Sequence, residues 1–86
     1  MEKLRLLRQL ASVESYRKIP LVELADDCRI LIENHIGVLS YSQAEISVRV
    51  SYGYLRVVGR DMKLAEMHRD QLVISGQIDG VFVHRR

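Results

Sequence analysis

Glu33, Asn34 and His35 are consecutive in the stretch IENHIG, residues 32–37. A carboxylate, an amide and an imidazole side by side are groups that general acid–base chemistry draws on. Such chemistry also needs a positioned nucleophile or an electrophile site. No serine or cysteine motif, glycine-rich phosphate loop or second carboxylate pair stands near the trio in sequence. His68 and His84 are distant and lack the close spacing of a metal-binding pair. Asn34 has a simpler use, because its side chain bonds nearby backbone groups and tolerates positive φ; Gly37 supplies a second permissive position. The stretch therefore reads as a strand end and turn, with Glu33, Asn34 and His35 serving backbone geometry or, at most, recognition. Catalysis, a metal and any other cofactor are not expected.

A second set of residues would act through charge. Pairing Val50 with Leu55 and Val48 with Val57 matches two apolar faces and sets Arg49 directly opposite Arg56 on the outer face. Like charges across a strand pair cost about 0.2–1 kcal/mol. Such a pair calls for a compensating acid, with Glu45 and Glu33 in reach, or for an anionic partner such as an acidic loop or lipid headgroups. In this register Tyr52 and Tyr54 fall on opposite faces.

These residues need a sheet to hold them. EISVRVSY alternates without a fault, with Ile46, Val48, Val50 and Tyr52 on one face and Glu45, Ser47, Arg49 and Ser51 on the other; that is the pattern of a half-buried strand. YLRVV continues it, RILIE and GVLSY precede it, and DMKLAEM, QLVISG and DGVFVH follow. Glycines 37, 53, 59, 76 and 80 punctuate these runs. Short strands joined by tight turns predict a mainly β domain, a small antiparallel β-sandwich or roll, over residues 19–86. Ile19 to Asp27, interrupted by Pro20, reads as a connecting segment with at most a short strand or turn. Weak echoes among IGVLSY, YGYLRV and DGVFVH are unequally spaced and do not make a solenoid repeat.

Residues 1–18 differ. Leu4, Leu7 and Ala11, with Leu6, Leu10 and Val13, recur at spacings of three and four, while Lys3, Arg5, Arg8 and Gln9 cover the other face. An N-terminal amphipathic α-helix and linker are predicted, to dock on the domain, a partner or a membrane surface. The basic residues leave no apolar run long enough for a signal sequence, and no segment approaches the ~20 apolar residues of a membrane span. A cytoplasmic protein with peripheral membrane contact at most is expected.

At 86 residues the chain fits one small domain with a modest core. Its net charge of +2 is mild for a dedicated nucleic-acid binder. The single cysteine, Cys28, excludes an internal disulfide and suits a reducing compartment; it reads as a small buried or half-buried residue.

Three pieces of the sequence stand together in a distinctive order: IENH-x-G at 32–37, YG-x-LRV-x-G at 52–59 and QLVISGQIDGVFV at 71–83. In that order and spacing they resemble the YabP/YqfC family of sporulation proteins, and the YqfC branch more closely, from about Ile19 to Val83. The resemblance implies a small non-enzymatic β domain made in the mother cell of a sporulating bacterium, acting by protein–protein binding. It also implies an integral membrane partner of the YqfD type and a place at the periphery of the forespore membrane. Arg49, Arg56, Glu33, Asn34 and His35 are the candidate partner-binding residues.

The alternative reading is a small basic β-barrel that binds nucleic acid through Arg49, Arg56, Arg60, Lys63, Arg69 and surface tyrosines. Asp61, Glu66 and Asp70 interrupt that basic run and weigh against it. Homo-oligomerisation is a further expectation, since QLVISG and DGVFV are apolar enough to self-associate if they lie at a sheet edge.

Overall fold

The structure, a computed structural model, describes residues 19–86. The predicted N-terminal helix lies outside the described residues. Six strands form one open sheet, antiparallel throughout: β1 (Leu21–Ala25), β2 (Arg29–Glu33), β3 (Gly37–Tyr41), β4 (Glu45–Val50), β5 (Gly53–Met67) and β6 (Gln71–Arg85). Their order is β1-β2-β6-β5-β4-β3. No helix occurs among the described residues.

The mainly β, antiparallel expectation holds, but the strands are not all short. YLRVV and DMKLAEM are parts of the 15-residue β5, and QLVISG and DGVFVH are parts of the 15-residue β6. Of the glycines read as breaks, Gly59, Gly76 and Gly80 sit inside these strands, whose register shifts between Val58 and Gly59, between Arg60 and Lys63, and between Leu64 and Glu66. A bulge bends a strand and leaves the ladder to continue beyond it. The segment around Pro20 leads into β1, a short strand of the kind allowed for there, since proline is tolerated before an edge strand.

The long strands cannot be straight. Fifteen residues at roughly 3.3 Å each would span nearly 50 Å, yet the longest dimension of the molecule is 39 Å. The β2–β3 connection shows how they bend. Glu33 pairs with Gln71, at one end of the β5–β6 hairpin, while Gly37 pairs with Arg49, which pairs with Tyr54 at the other end. Only Asn34, His35 and Ile36 separate Glu33 from Gly37, a reach of about 14 Å. The sheet is therefore folded back on itself, so that β3, β4, the start of β5 and the end of β6 make one layer. The other layer is β1, β2, the start of β6 and the end of β5.

The two layers are built alike. RILIE of β2 pairs with QLVIS of β6 much as EISVR of β4 pairs with YLRVV of β5. Each hairpin turn then docks at the bend. Gly76 and Ile78 donate backbone bonds to Cys28 and Asp27, and Gly59 and Met62 donate to Ala44 and Gln43. This repeat is distinct from the echoes heard in the sequence.

Period-two alternation sends Ile30, Ile32, Ile46, Val48, Val50, Leu55, Val57, Leu72 and Ile74 to a single buried core, joined by Met62 and Ile78 at the bend. Burying one such side chain contributes about 1.5–3 kcal/mol, so the alternating residues, not the polar contacts, dominate stability. Cys28 is exposed, against the expectation of burial, because it belongs to the β1–β2 turn.

Candidate binding face

The outer face of the β3–β4 layer collects most of the side chains with chemistry. Pairing across β4, β5 and β6 sets Arg49 beside Tyr54 and Tyr54 beside His84; Ser47, Arg56 and Phe82 form the next row, and Glu45, Val58 and Gly80 the third. The expected opposition of Arg49 and Arg56 is corrected here. The turn is shorter than a Val50–Leu55 pairing requires, and Val50 pairs with Gly53, so Val48 meets Leu55. The register moves by two residues, the faces are preserved, and the two arginines become diagonal neighbours. The apolar pattern alone fits both registers. Gly53 decides between them: it is a strand residue because the His84 carbonyl lies where its side chain would stand.

Arg56 is held on several sides. Its Nη1 is 3.6 Å from Glu45 Oε1, its guanidinium lies 4.8 Å from the Phe82 ring centroid, and its Nε donates to His84 Nε2 at 3.3 Å. The His84 ring in turn stacks on Tyr54, with centroids 4.5 Å apart and planes 3° from parallel. Pairs this exposed are worth little singly, about 0.2–1 kcal/mol for the ion pair and a similar amount for the cation–π contact. Their joint effect is to fix an aromatic and cationic patch in one geometry. Arg49 is exposed and makes no ion pair among the described residues. Beside it Gly37 adds no side chain, and the space above that position is open. Phe82 is 46% exposed.

Glu33, Asn34 and His35 do not join this face. Glu33 is the half-buried last residue of β2, between Leu21 and Gln71. Asn34 has φ of 65°; its amide side chain donates to the Ile19 carbonyl at 2.8 Å, and its backbone N–H donates to the Asp70 carbonyl. His35 is 6% exposed. Its Nε2 lies 3.0 Å from the His68 carbonyl oxygen, which only accepts, so Nε2 carries the hydrogen. Its Nδ1 is buried without a partner. The trio is the joint at which the chain crosses between layers, and this agrees with the strand-end and turn reading of IENHIG.

Tyr54 and Phe82 were expected to matter only as stacking residues for nucleic acid, and His84 was not expected at a binding face; the structure brings all three beside Arg56. Their signal is the alternation itself: YLR and FVH put Tyr54, Arg56, Phe82 and His84 at every second position, and a β5–β6 pairing brings them to one face.

The outer face of the β1–β2 layer is different. An open groove of about 430 Å³ there is lined by Leu31 and Val73, with Glu23, Glu66, Gln71 and Arg29 around it. Among the described residues no group of three or more His, Cys, Asp or Glu side chains is placed to hold a metal ion. No described helix is long and apolar enough to cross a membrane.

A model of the YabP family matches residues 17–85. The chain belongs to the YabP family. The match takes in all six strands of this YabP family member. No curated protein and no solved structure matches the chain.

Proposed function

We propose that this YabP family member is a YqfC-like sporulation protein without enzymatic activity, acting in the mother cell by binding other proteins. Its partner on this reading is an integral membrane protein of the YqfD type at the forespore membrane. The docking surface is the outer face around Arg49, with Arg56, Tyr54, Phe82 and His84 beside it. The observation that carries the reading is the exposed Arg49 next to a preorganised aromatic patch, in a chain whose family match covers the whole sheet. Arginine and aromatic side chains are the groups that anchor protein interfaces.

Affinity purification from detergent-solubilised membranes of sporulating cells tests this. The wild-type chain should bring down one YqfD-type membrane protein, and Arg49→Glu should lose it. Equal recovery with Arg49→Glu, or no membrane protein with the wild type, rejects the reading.

A second reading is favoured by the same stacked Tyr54–His84 pair beside Arg49 and Arg56, the combination that single-stranded nucleic acid uses for stacking and phosphate contact. Glu45 and Asp79 each pair with an arginine of this layer and dilute its charge. Binding of single-stranded oligonucleotides that falls steeply with salt would favour this reading.

A further inference from the structure

An open sheet has edges, and the bend gives this one more than the two outer strands. β2 pairs with β6 only from Gln71 to Ser75, and the β1–β2 turn extends the contact as far as Ile78. Beyond that point, among the described residues, β6 has β5 on one side and nothing on the other.

The direction of the free groups follows from the ladder. Arg86 N–H donates to the Tyr52 carbonyl, so Tyr52 and Arg86 are a hydrogen-bonded pair, and the alternation of an antiparallel ladder makes Tyr54–His84, Arg56–Phe82 and Val58–Gly80 the next ones. The N–H and C=O groups of Val81, Val83 and Arg85 therefore point to the open side. Phe82 and Val83 are 46% and 50% exposed, which leaves this edge accessible on both faces.

Other edges carry protection. β1 follows Pro20 and includes Glu23. β3 is interrupted by a bulge between Val38 and Ser40. The far end of β5, the counterpart of this segment in the other layer, carries Lys63 and Glu66 and a shift between Leu64 and Glu66. Charges, prolines and bulges are the devices that stop edge pairing. From Gly80 to Val83 the β6 edge has none of them, and its pairing with β5 is regular from Gly80 to Arg85.

We infer that the C-terminal half of β6 is a self-association edge, at which two copies of this chain pair antiparallel about a two-fold axis near Phe82. The segment complements itself in that arrangement. Val81 and Val83 of one copy face Val83 and Val81 of the other as hydrogen-bonded pairs, using the outward N–H and C=O groups. Phe82 meets its own symmetry mate, His84 lies over Gly80, and Asp79 and Arg85 of opposite sign come together at each end. A two-fold contact of this kind is closed, so it gives a dimer and not a fibre. It would join the two β3–β4 layers into one continuous sheet and leave Arg49 outside the contact. The inference does not depend on the identity of any membrane partner.

Sedimentation equilibrium of the full chain, wild type against Val83→Pro, tests it. Val83 N–H serves no bond among the described residues, so proline there removes an edge donor and keeps the ladder to β5. The wild type should sediment as a dimer, and Val83→Pro as a monomer with an unchanged β-type circular dichroism spectrum and a dissociation constant at least ~10-fold higher. If Val83→Pro does not fold, Val83→Lys makes the same test by placing a charge at the edge. Cysteine cross-linking locates the contact. In a Cys28→Ser background, Phe82→Cys should form an intermolecular disulfide, because directly opposed non-hydrogen-bonded residues sit about 4.5 Å apart at Cα; Leu39→Cys on β3 should not. A monomeric wild type, a dimer that survives the edge variant, or cross-linking at Leu39→Cys in place of Phe82→Cys overturns the proposal.

Discussion

The His35 ring donates from Nε2 to the carbonyl oxygen of His68, 3.0 Å away, and so ties the β2–β3 loop to the β5–β6 turn. The turn closes the β1–β2 layer and the loop carries the chain from that layer to the other, so this bond fixes the crossing. His35→Ala removes the bond and leaves a hole, and should cost about 2–4 kcal/mol by chemical denaturation. His35→Gln is the informative contrast. Its amide nitrogen can take the place of Nε2, so it should recover part of that loss. Equal destabilisation by the two variants would show that the ring's shape, not its bond, matters.

Asn34 separates backbone conformation from side-chain bonding. At φ of 65° an alanine is strained, and it also loses the bond to the Ile19 carbonyl. Asn34→Ala should therefore cost about 2–3 kcal/mol, the sum of a left-handed penalty and one hydrogen bond. Asn34→Gly keeps the conformation and should cost about 1 kcal/mol, the bond alone plus a small entropy term. Thermal melts of both variants give the comparison directly.

Gly59 stands at the bend, and a side chain there would overlap the Gln77 carbonyl and crowd Met62 Sδ. Backbone on the neighbouring strand cannot move aside without breaking the ladder. Gly59→Ala should cost upward of about 3 kcal/mol, the top of the overpacking range. A domain of this size has only about 4–13 kcal/mol in total. A markedly lower melting temperature, or recovery only as insoluble protein, is the expected result.

Arg49 and Arg56 should part company in stability measurements. Arg49→Glu changes an exposed group without an ion pair among the described residues and should shift stability by less than about 0.5 kcal/mol. Arg56→Glu faces Glu45 and abandons Phe82 and His84, and should cost about 1–2 kcal/mol. For that reason Arg49→Glu is the cleaner probe of partner binding, and a double charge reversal would confound binding with folding.

Much of the sheet was legible in the residues. The alternation in EISVRVSY and YLRVV gave two strands and their buried faces, because one wet and one dry side impose a period of two. Arg49 and Arg56 were placed on the outer face for the same reason. What the residues could not give was set by distant contacts. Gly59, Gly76 and Gly80 look like turn residues, and only the packed fold shows them as positions in continuous strands. Gly53 looked like part of a loop, and only the His84 carbonyl shows why it must be a strand residue paired with Val50. His35 is polar and sits at a bend, so its burial is invisible until the β5–β6 turn closes over it. The outer-face patch needed the β5–β6 register, which joins residues 28 positions apart in Arg56 and His84.

The long strands β5 and β6 belong to both layers, and this limits how the molecule can come apart. Each begins beside one hairpin and ends in the other layer, so each half completes its neighbour as strand-exchanged dimers do, but inside a single chain. Neither half has a complete ladder without the other. Melting one layer removes the template of the second, and the chain should open as one cooperative unit. Amide protons of Ile32 and Val48, in opposite layers, should then exchange with the same opening free energy.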